Sequence, residues 1–254
     1  MKSLFPAVTL PLLLSACVVH VNASSPEPAV QEQQTLFVTS AGLKKLVLES
    51  QAGDVRIVGK ANHTQIDVDA RLYYQDKAQV QLSLQSQGDS AILKALTDNN
   101  CVGICTGESP RIDLVVTVPA ALALQIEDGS GTISINGMAA DIAIEDGSGA
   151  IALDGGASVE IEDGSGEMQI SHLSGSLSIT DGSGSIQVQQ VAGAVRIEDG
   201  SGDITVRQVG GQVRVSDGSG SISVHQAGSF VLDDDGSGEL DLTDIQGAVE
   251  LNKD

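Results

Sequence analysis

Seven aspartates recur at a near-constant interval in the second half of the chain: Asp128, Asp146, Asp163, Asp181, Asp199, Asp217 and Asp235, each opening an Asp-Gly-Ser-Gly tetrapeptide. Their steps are 18, 17, 18, 18, 18 and 18 residues, by subtraction. Carboxylates repeated in this way could do either of two things. Stacked one per coil, roughly 5 Å apart, they repel one another by roughly 1 kcal/mol or more even in a water-like dielectric, and a hard cation such as Ca²⁺ would relieve that repulsion. Alternatively, each carboxylate accepts hydrogen bonds from the amides of its own turn and serves the backbone. The tetrapeptide is not the G-G-x-G-x-D-x-U-x nonapeptide that binds Ca²⁺, which favours the turn role. No cofactor is expected, and Ca²⁺, if any metal, could be held only by these seven aspartates. Glu127, Glu145, Glu162, Glu198 and Asp234 run beside them.

Other reactive residues point away from catalysis. Serines, histidines and aspartates are abundant, but the serine of the tetrapeptide recurs in every unit, which makes it a corner residue before it is a nucleophile. His172 and His225 hold different places in their units, and the units have no inserted loops to build a cleft. The reading is that the protein is not an enzyme.

The elements that must position the aspartates follow from the same repeat. In the unit from Ser185 to Gly202, apolar residues fall at Ile186 and Val188, at Val191, and at Val195 and Ile197. Two period-2 pairs predict two short strands per coil, with β-branched residues on one buried face and no helical period. Ile133 to Ile144, Met168 to Ile179, Ile204 to Val215 and Leu240 to Leu251 repeat the spacing, and all these apolar residues should point inward. A unit of this length cannot bury its apolar face alone and must stack on its neighbours. The fold class is therefore all-β: a parallel β-solenoid with two short strands per coil, on the order of 34 Å long for about seven coils, preceded by a β-rich capping region. Gly137, Gly175, Gly193, Gly210, Gly228 and Gly247 mark the second corner, where positive φ is expected. The unit after Asp146 is one residue short around Asp154-Gly155-Gly156, pinching one corner. After Asp217, Phe230 and Leu232 are out of phase with the inward positions, which predicts a bulge or register shift that keeps Asp233 out of the interior.

Residues 1–16 form a short apolar stretch with Lys2 near its start, the shape of a secretory signal and too short for a membrane span. The run Leu14-Ser15-Ala16-Cys17 looks like the lipobox of bacterial lipoproteins, which implies lipidation of Cys17 and attachment to the membrane through that anchor. Val18 is not the Asp that resembles an inner-membrane retention mark, so the expected location is the cell envelope, lipid-anchored at the outer membrane. Of the three cysteines, Cys101 and Cys105 then remain as a pair in a polar loop. In an exported protein a disulfide closing that loop is the first reading, with a redox pair or a metal site as alternatives. Residues 17–34 read as the lipidated tether, 35–120 as the capping region and 121–254 as the solenoid of seven repeats. The capping region includes a degenerate coil around Leu46 to Ile57 and alternating stretches at Gln65 to Tyr74, Gln79 to Leu84 and Arg111 to Val118.

Gly53-Asp54-Val55-Arg56-Ile57, the Val118-Pro119 pair ahead of the repeats, and units such as Gly182-Ser183-Gly184-Ser185-Ile186-Gln187-Val188 resemble the adhesin-like β-strand-repeat family of bacterial cell-envelope proteins, over residues 42 to 251. The family has no catalytic residues to carry over. Some of its members are linked to envelope stress or to cationic membrane-active peptides, so the resemblance implies a cationic peptide or an envelope component as a partner.

Composition narrows the function classes. The formal charge is −21, and from Cys17 onward it is 12 basic against 34 acidic residues, or −22. Such a surface repels nucleic acid and anionic lipid and attracts cations. Aromatic platforms for sugars or bases are nearly absent, with no Trp, two Tyr and three Phe. Two readings follow: an acidic, adhesin-like binding module, or a self-assembling structural scaffold of the envelope, with or without Ca²⁺.

Overall fold

The computed structural model describes residues 17–18, 30–98 and 109–252. Its strands are β1 (Cys17–Val18), β2 (Val30–Thr39), β3 (Lys45–Ser50), β4 (Val55–Lys60), β5 (Gln65–Tyr74), β6 (Val80–Gln87), β7 (Ser90–Thr97), β8 (Arg111–Pro119), β9 (Ala123–Asp128), β10 (Gly131–Asn136), β11 (Ile142–Asp146), β12 (Gly149–Gly156), β13 (Val159–Asp163), β14 (Met168–Leu173), β15 (Leu177–Asp181), β16 (Ile186–Val191), β17 (Val195–Asp199), β18 (Ile204–Asp217), β19 (Ile222–Asp235), β20 (Leu240–Ile245) and β21 (Val249–Leu251). Among the described residues the helical content is one 3-10 turn, Lys77–Gln79.

The repeats form the parallel solenoid that the spacing predicts. One ladder runs β10, β12, β14, β16, β18, β19, β20, and the other runs β9, β11, β13, β15, β17, β18, β19, β21. Each inward residue stacks on its counterpart, as Ile186 does on Ile204 and Val195 on Val213. Apart from the last coil, the predicted inward residues are buried. Burying a side chain of this size contributes on the order of 1.5–3 kcal/mol, so each coil depends on having a neighbour on both sides. Among the described residues the last coil has one on one side only, and the expectation fails there: Leu240, Leu242 and Ile245 are partly buried, and Val249 and Leu251 are exposed.

The ladders begin earlier in space than the regular repeats. β3 and β4 form the degenerate coil and stack in parallel under β9 and β10, while β7 and β8 form one more coil beneath them. The coil order is therefore β7–β8, β3–β4, β9–β10, which differs from sequence order. Three antiparallel strands close this end: β6 pairs with β7, β5 with β8, and β2 with β5. They protect edges that would otherwise recruit other chains. Residues 30–34, read from sequence as tether, belong to β2 instead. What draws them in is Glu32, only 2% exposed, which accepts hydrogen bonds from Tyr74 Oη at 2.6 Å and Lys77 Nζ at 3.0 Å. Those bonds hold the Glu32 carboxyl below the usual carboxylate range, the tyrosine bond contributing most. Burial, with Glu32 second, pushes Tyr74 up to about 12.

The two irregular units behave as their sequences imply. The missing residue falls between Gly156 and Val159, where Gly156 takes the buried place held by Leu173 in the next coil, and both ladders continue across it. After Asp217 the register shifts between Val209 and Gln212 and between Val215 and Ser216. Phe230 and Leu232 are then fully buried. The extra residue, Asp233, points out to accept from Arg214 Nη1 at 2.6 Å.

The corner glycines need correction. Positive φ is found at the last residue of the first six tetrapeptides, for example Gly184 with φ +148°, where a Cβ would lie 1.7 Å from the Gly166 carbonyl oxygen. At the second corner, Gly193 has no left-handed φ, and closeness to the Gly175 carbonyl (2.6 Å from a Cβ) is what excludes a side chain. In that column Gly211, not Gly210, continues Gly193. Gly137 (φ 74°) does not belong to it. It starts a separate bend continued by Gly155 and then by His172, Gln190, Gln208, Gln226 and Asp244, all left-handed with φ between 57° and 62°.

Candidate functional site

The second strand of each coil places three alternate residues inward, and the third is the aspartate. In Val195–Asp199 the order is buried Val195, exposed Arg196, buried Ile197, exposed Glu198 and buried Asp199. Period-2 alternation therefore turns the acidic column into the coil instead of towards solvent. Asp128, Asp146, Asp163, Asp181, Asp199 and Asp217 are between 1% and 7% exposed and stand in register with one another, with Ser50 of the degenerate coil below Asp128. For Asp235 the structure describes the backbone, which continues the register from Asp217.

Four of the turns serve their carboxylate through one oxygen. The amides of Ser165, Ser183, Ser201 and Ser219 donate to Oδ1 of Asp163, Asp181, Asp199 and Asp217 at 3.1–3.2 Å. The Oδ2 atoms of Asp163, Asp181 and Asp199, and both oxygens of Asp128 and Asp146, are buried without a hydrogen-bond partner. Burial raises the pKa of Asp128, Asp163 and Asp181 above the usual range. Asp146 is pushed up to about 6 by burial and then by the charges of Asp128 and Asp163, and Asp199 to about 6 by burial, with Asp181 and Asp217 adding to the shift.

Outside this column runs a second one, offset by a single residue. Glu49, Glu127, Glu145 and Glu162 are consecutive in register, followed by Thr180, Glu198 and Ser216. Between the columns lies a groove of about 560 Å³. Lys94 pairs with Glu49, and Arg196 with Glu198. Among the described residues, no basic side chain pairs with Glu127, Glu145 or Glu162. The charge is concentrated on this part of the rod: residues 30–119 carry eight basic and ten acidic residues, whereas 120–254 carry four and 23. An extended row of carboxylates, one per coil, sets up a continuous negative potential along this face.

Among the described residues, no three His, Cys, Asp or Glu side chains converge to hold a metal ion. Cys101 and Cys105 lie outside the described residues, in the segment that joins β7 to β8. Cys17 is placed by its backbone opposite Gln33. His172 and Ser171 do meet a shared aspartate, Asp154, at 2.6 and 3.0 Å. The serine hydroxyl donates to the carboxylate rather than to the imidazole, and the cluster is on the open surface, so the relay a nucleophilic serine needs is not assembled. Sequence reasoning found both acidic columns but not which one faces in, and it missed the left-handed column of His172, Gln190, Gln208, Gln226 and Asp244. Gly137 and Gly155, which hold the same place in earlier coils, were the available signal.

A family model described as Toastrack DUF4097 matches residues 43–247. No curated protein matches the chain. Among solved structures, a candidate lipid binding protein from Parabacteroides distasonis is 14% identical, with 86% of this chain and 96% of that one covered and a TM-score of 0.47. A candidate adhesin from the same species is also 14% identical over the same shares, with a TM-score of 0.44. A candidate adhesin from Bacteroides fragilis is 12% identical, again over 86% and 96%, with a TM-score of 0.42.

Proposed function

We propose that this chain, which belongs to the Toastrack DUF4097 family, is a non-catalytic, envelope-tethered binding module whose acidic corner captures a polycationic partner. The observation that carries the reading is the run Glu127, Glu145, Glu162: three exposed carboxylates in register on adjacent coils, without basic partners among the described residues, beside a buried column of the same sign. Lipidation of Cys17, with the chain held at the outer membrane, would present the rod to cationic peptides or basic envelope components. The acidic surface would also keep it off anionic lipid and nucleic acid.

The test is binding of the full chain to hexa-arginine, measured across a salt series. A Glu127→Gln, Glu145→Gln, Glu162→Gln triple variant should weaken binding by at least tenfold at low salt and flatten the salt dependence. Binding that is equally tight in the variant, or insensitive to salt, would refute the reading.

A further inference from the structure

The two ends of the rod are finished differently. At one end, β2, β5 and β6 cover the first coil with antiparallel strands. At the other, β20 and β21 pair with β19 alone among the described residues. The carbonyls of Glu239 and Ala248 accept from the amides of Ile222 and Phe230 on β19. In a parallel ladder, successive residues direct their backbone groups to opposite sides. The amides and carbonyls of Leu240, Leu242, Val249 and Leu251 therefore point away from β19, off the end of the stack. Their side chains hold inward positions that are fully covered one coil earlier, at Ile222, Val224, Phe230 and Leu232, yet Val249 is 46% and Leu251 45% exposed. Among the described residues, the last coil thus presents unpaired backbone and uncovered apolar positions on one surface.

Charge decides what fits there. From Asp233 to Asp254 the chain has eight acidic residues and one basic, Lys253. Glu239, immediately before β20, and Asp241, at an outward position of it, are exposed. A second copy would bring two such ends into contact and set like charges opposite each other. A strand that alternates apolar with basic residues satisfies all three requirements. Its backbone completes the ladder, its apolar side chains cover Leu240 and Leu242, and its Lys or Arg side chains stand beside Glu239 and Asp241 at strand spacing.

We propose that the free edge of β20 is a strand-addition site for an extended segment of another protein with alternating apolar and basic residues. It is separate from the Glu127–Glu162 corner. The probe is a fluorescent eight-residue peptide of alternating Val and Lys, bound to the full chain. Every measurement is made in the Glu127→Gln, Glu145→Gln, Glu162→Gln background, which removes the corner's own attraction for the peptide's Lys side chains. Two comparisons go with it: the same peptide N-methylated on alternate amides, and the further Asp241→Lys change. The proposal expects the N-methylated peptide and the Asp241→Lys change each to weaken binding at least tenfold. Equal binding of the N-methylated peptide, or equal binding after Asp241→Lys, would overturn it. No binding of the unmodified peptide in this background would place the peptide at the corner and also overturn it. A full chain that is dimeric by light scattering and becomes monomeric with excess peptide would make a second copy the natural occupant, with the same consequence.

Discussion

Asp146 and Asp163 hold the same register position on adjacent coils, both turned into the interior, and Asp163 adds to the burial that lifts the Asp146 pKa to about 6. A folded-state pKa above the unfolded value means that the native state binds more protons than the unfolded chain between the two values. The contribution to stability is then full below the unfolded pKa, about 3.9, and is lost as pH rises through the folded value. The column should therefore make the solenoid more stable near pH 4–5 than near pH 7, the reverse of the usual carboxylate behaviour. Thermal melts in matched ionic strength from pH 4.5 to 7.5 check this, and a melting temperature that rises with pH across that range would exclude it.

Replacing one buried carboxylate tests the same cause locally. Asp199→Asn keeps an oxygen for the Ser201 amide and removes one charge from the column. We expect it to stabilise the protein at pH 7 by about 1–2 kcal/mol, below the full linkage value because Asp199 keeps some contact with solvent, which screens its charge. At pH 4.5 the gain should fall to about a third of that, because the penalty builds up between the unfolded and folded values. A chemical denaturation series at both pH values reads it.

Backbone geometry predicts opposite signs at two corners. Gly184→Ala puts a Cβ against the Gly166 carbonyl in a conformation that L-residues avoid, and should cost about 3 kcal/mol or more. Gln208→Gly relieves a left-handed non-glycine residue (φ 58°) and should stabilise by up to about 1 kcal/mol. Denaturant midpoints of the two variants against the parent decide both.

At the capped end, Tyr74→Phe leaves the buried Glu32 carboxylate without its shortest hydrogen bond. The expected loss is about 1–3 kcal/mol, seen first as faster amide exchange in β2.

Calcium should not change the fold, since Asp128 to Asp217 of the column face inward, serine amides hold Oδ1 of Asp163, Asp181, Asp199 and Asp217, and no three of the described acidic side chains converge. Melting temperatures in Ca²⁺ and in chelator, at equal ionic strength, should agree. A rise specific to Ca²⁺ would show that the column rearranges to hold it.

The repeat by itself determined the solenoid, its two strands per coil, the inward apolar positions and the shift at Phe230, because a period-2 pattern repeated at coil length has few ways to bury its face. It also showed where the acidic residues fall, as Asp128 and Glu127 already stand side by side in the chain. Tertiary structure decided the rest, through contacts between residues distant in sequence. Only stacking could show that β3–β4 lies between β7–β8 and β9–β10, since coil order depends on which edges find each other. The same holds for Glu32, recruited from an apparent tether by Tyr74, 42 residues away. Which end stays open was likewise undecided by the pattern: Leu240 to Leu251 read like any other unit, and what leaves them uncovered is the absence of a further described coil beyond them.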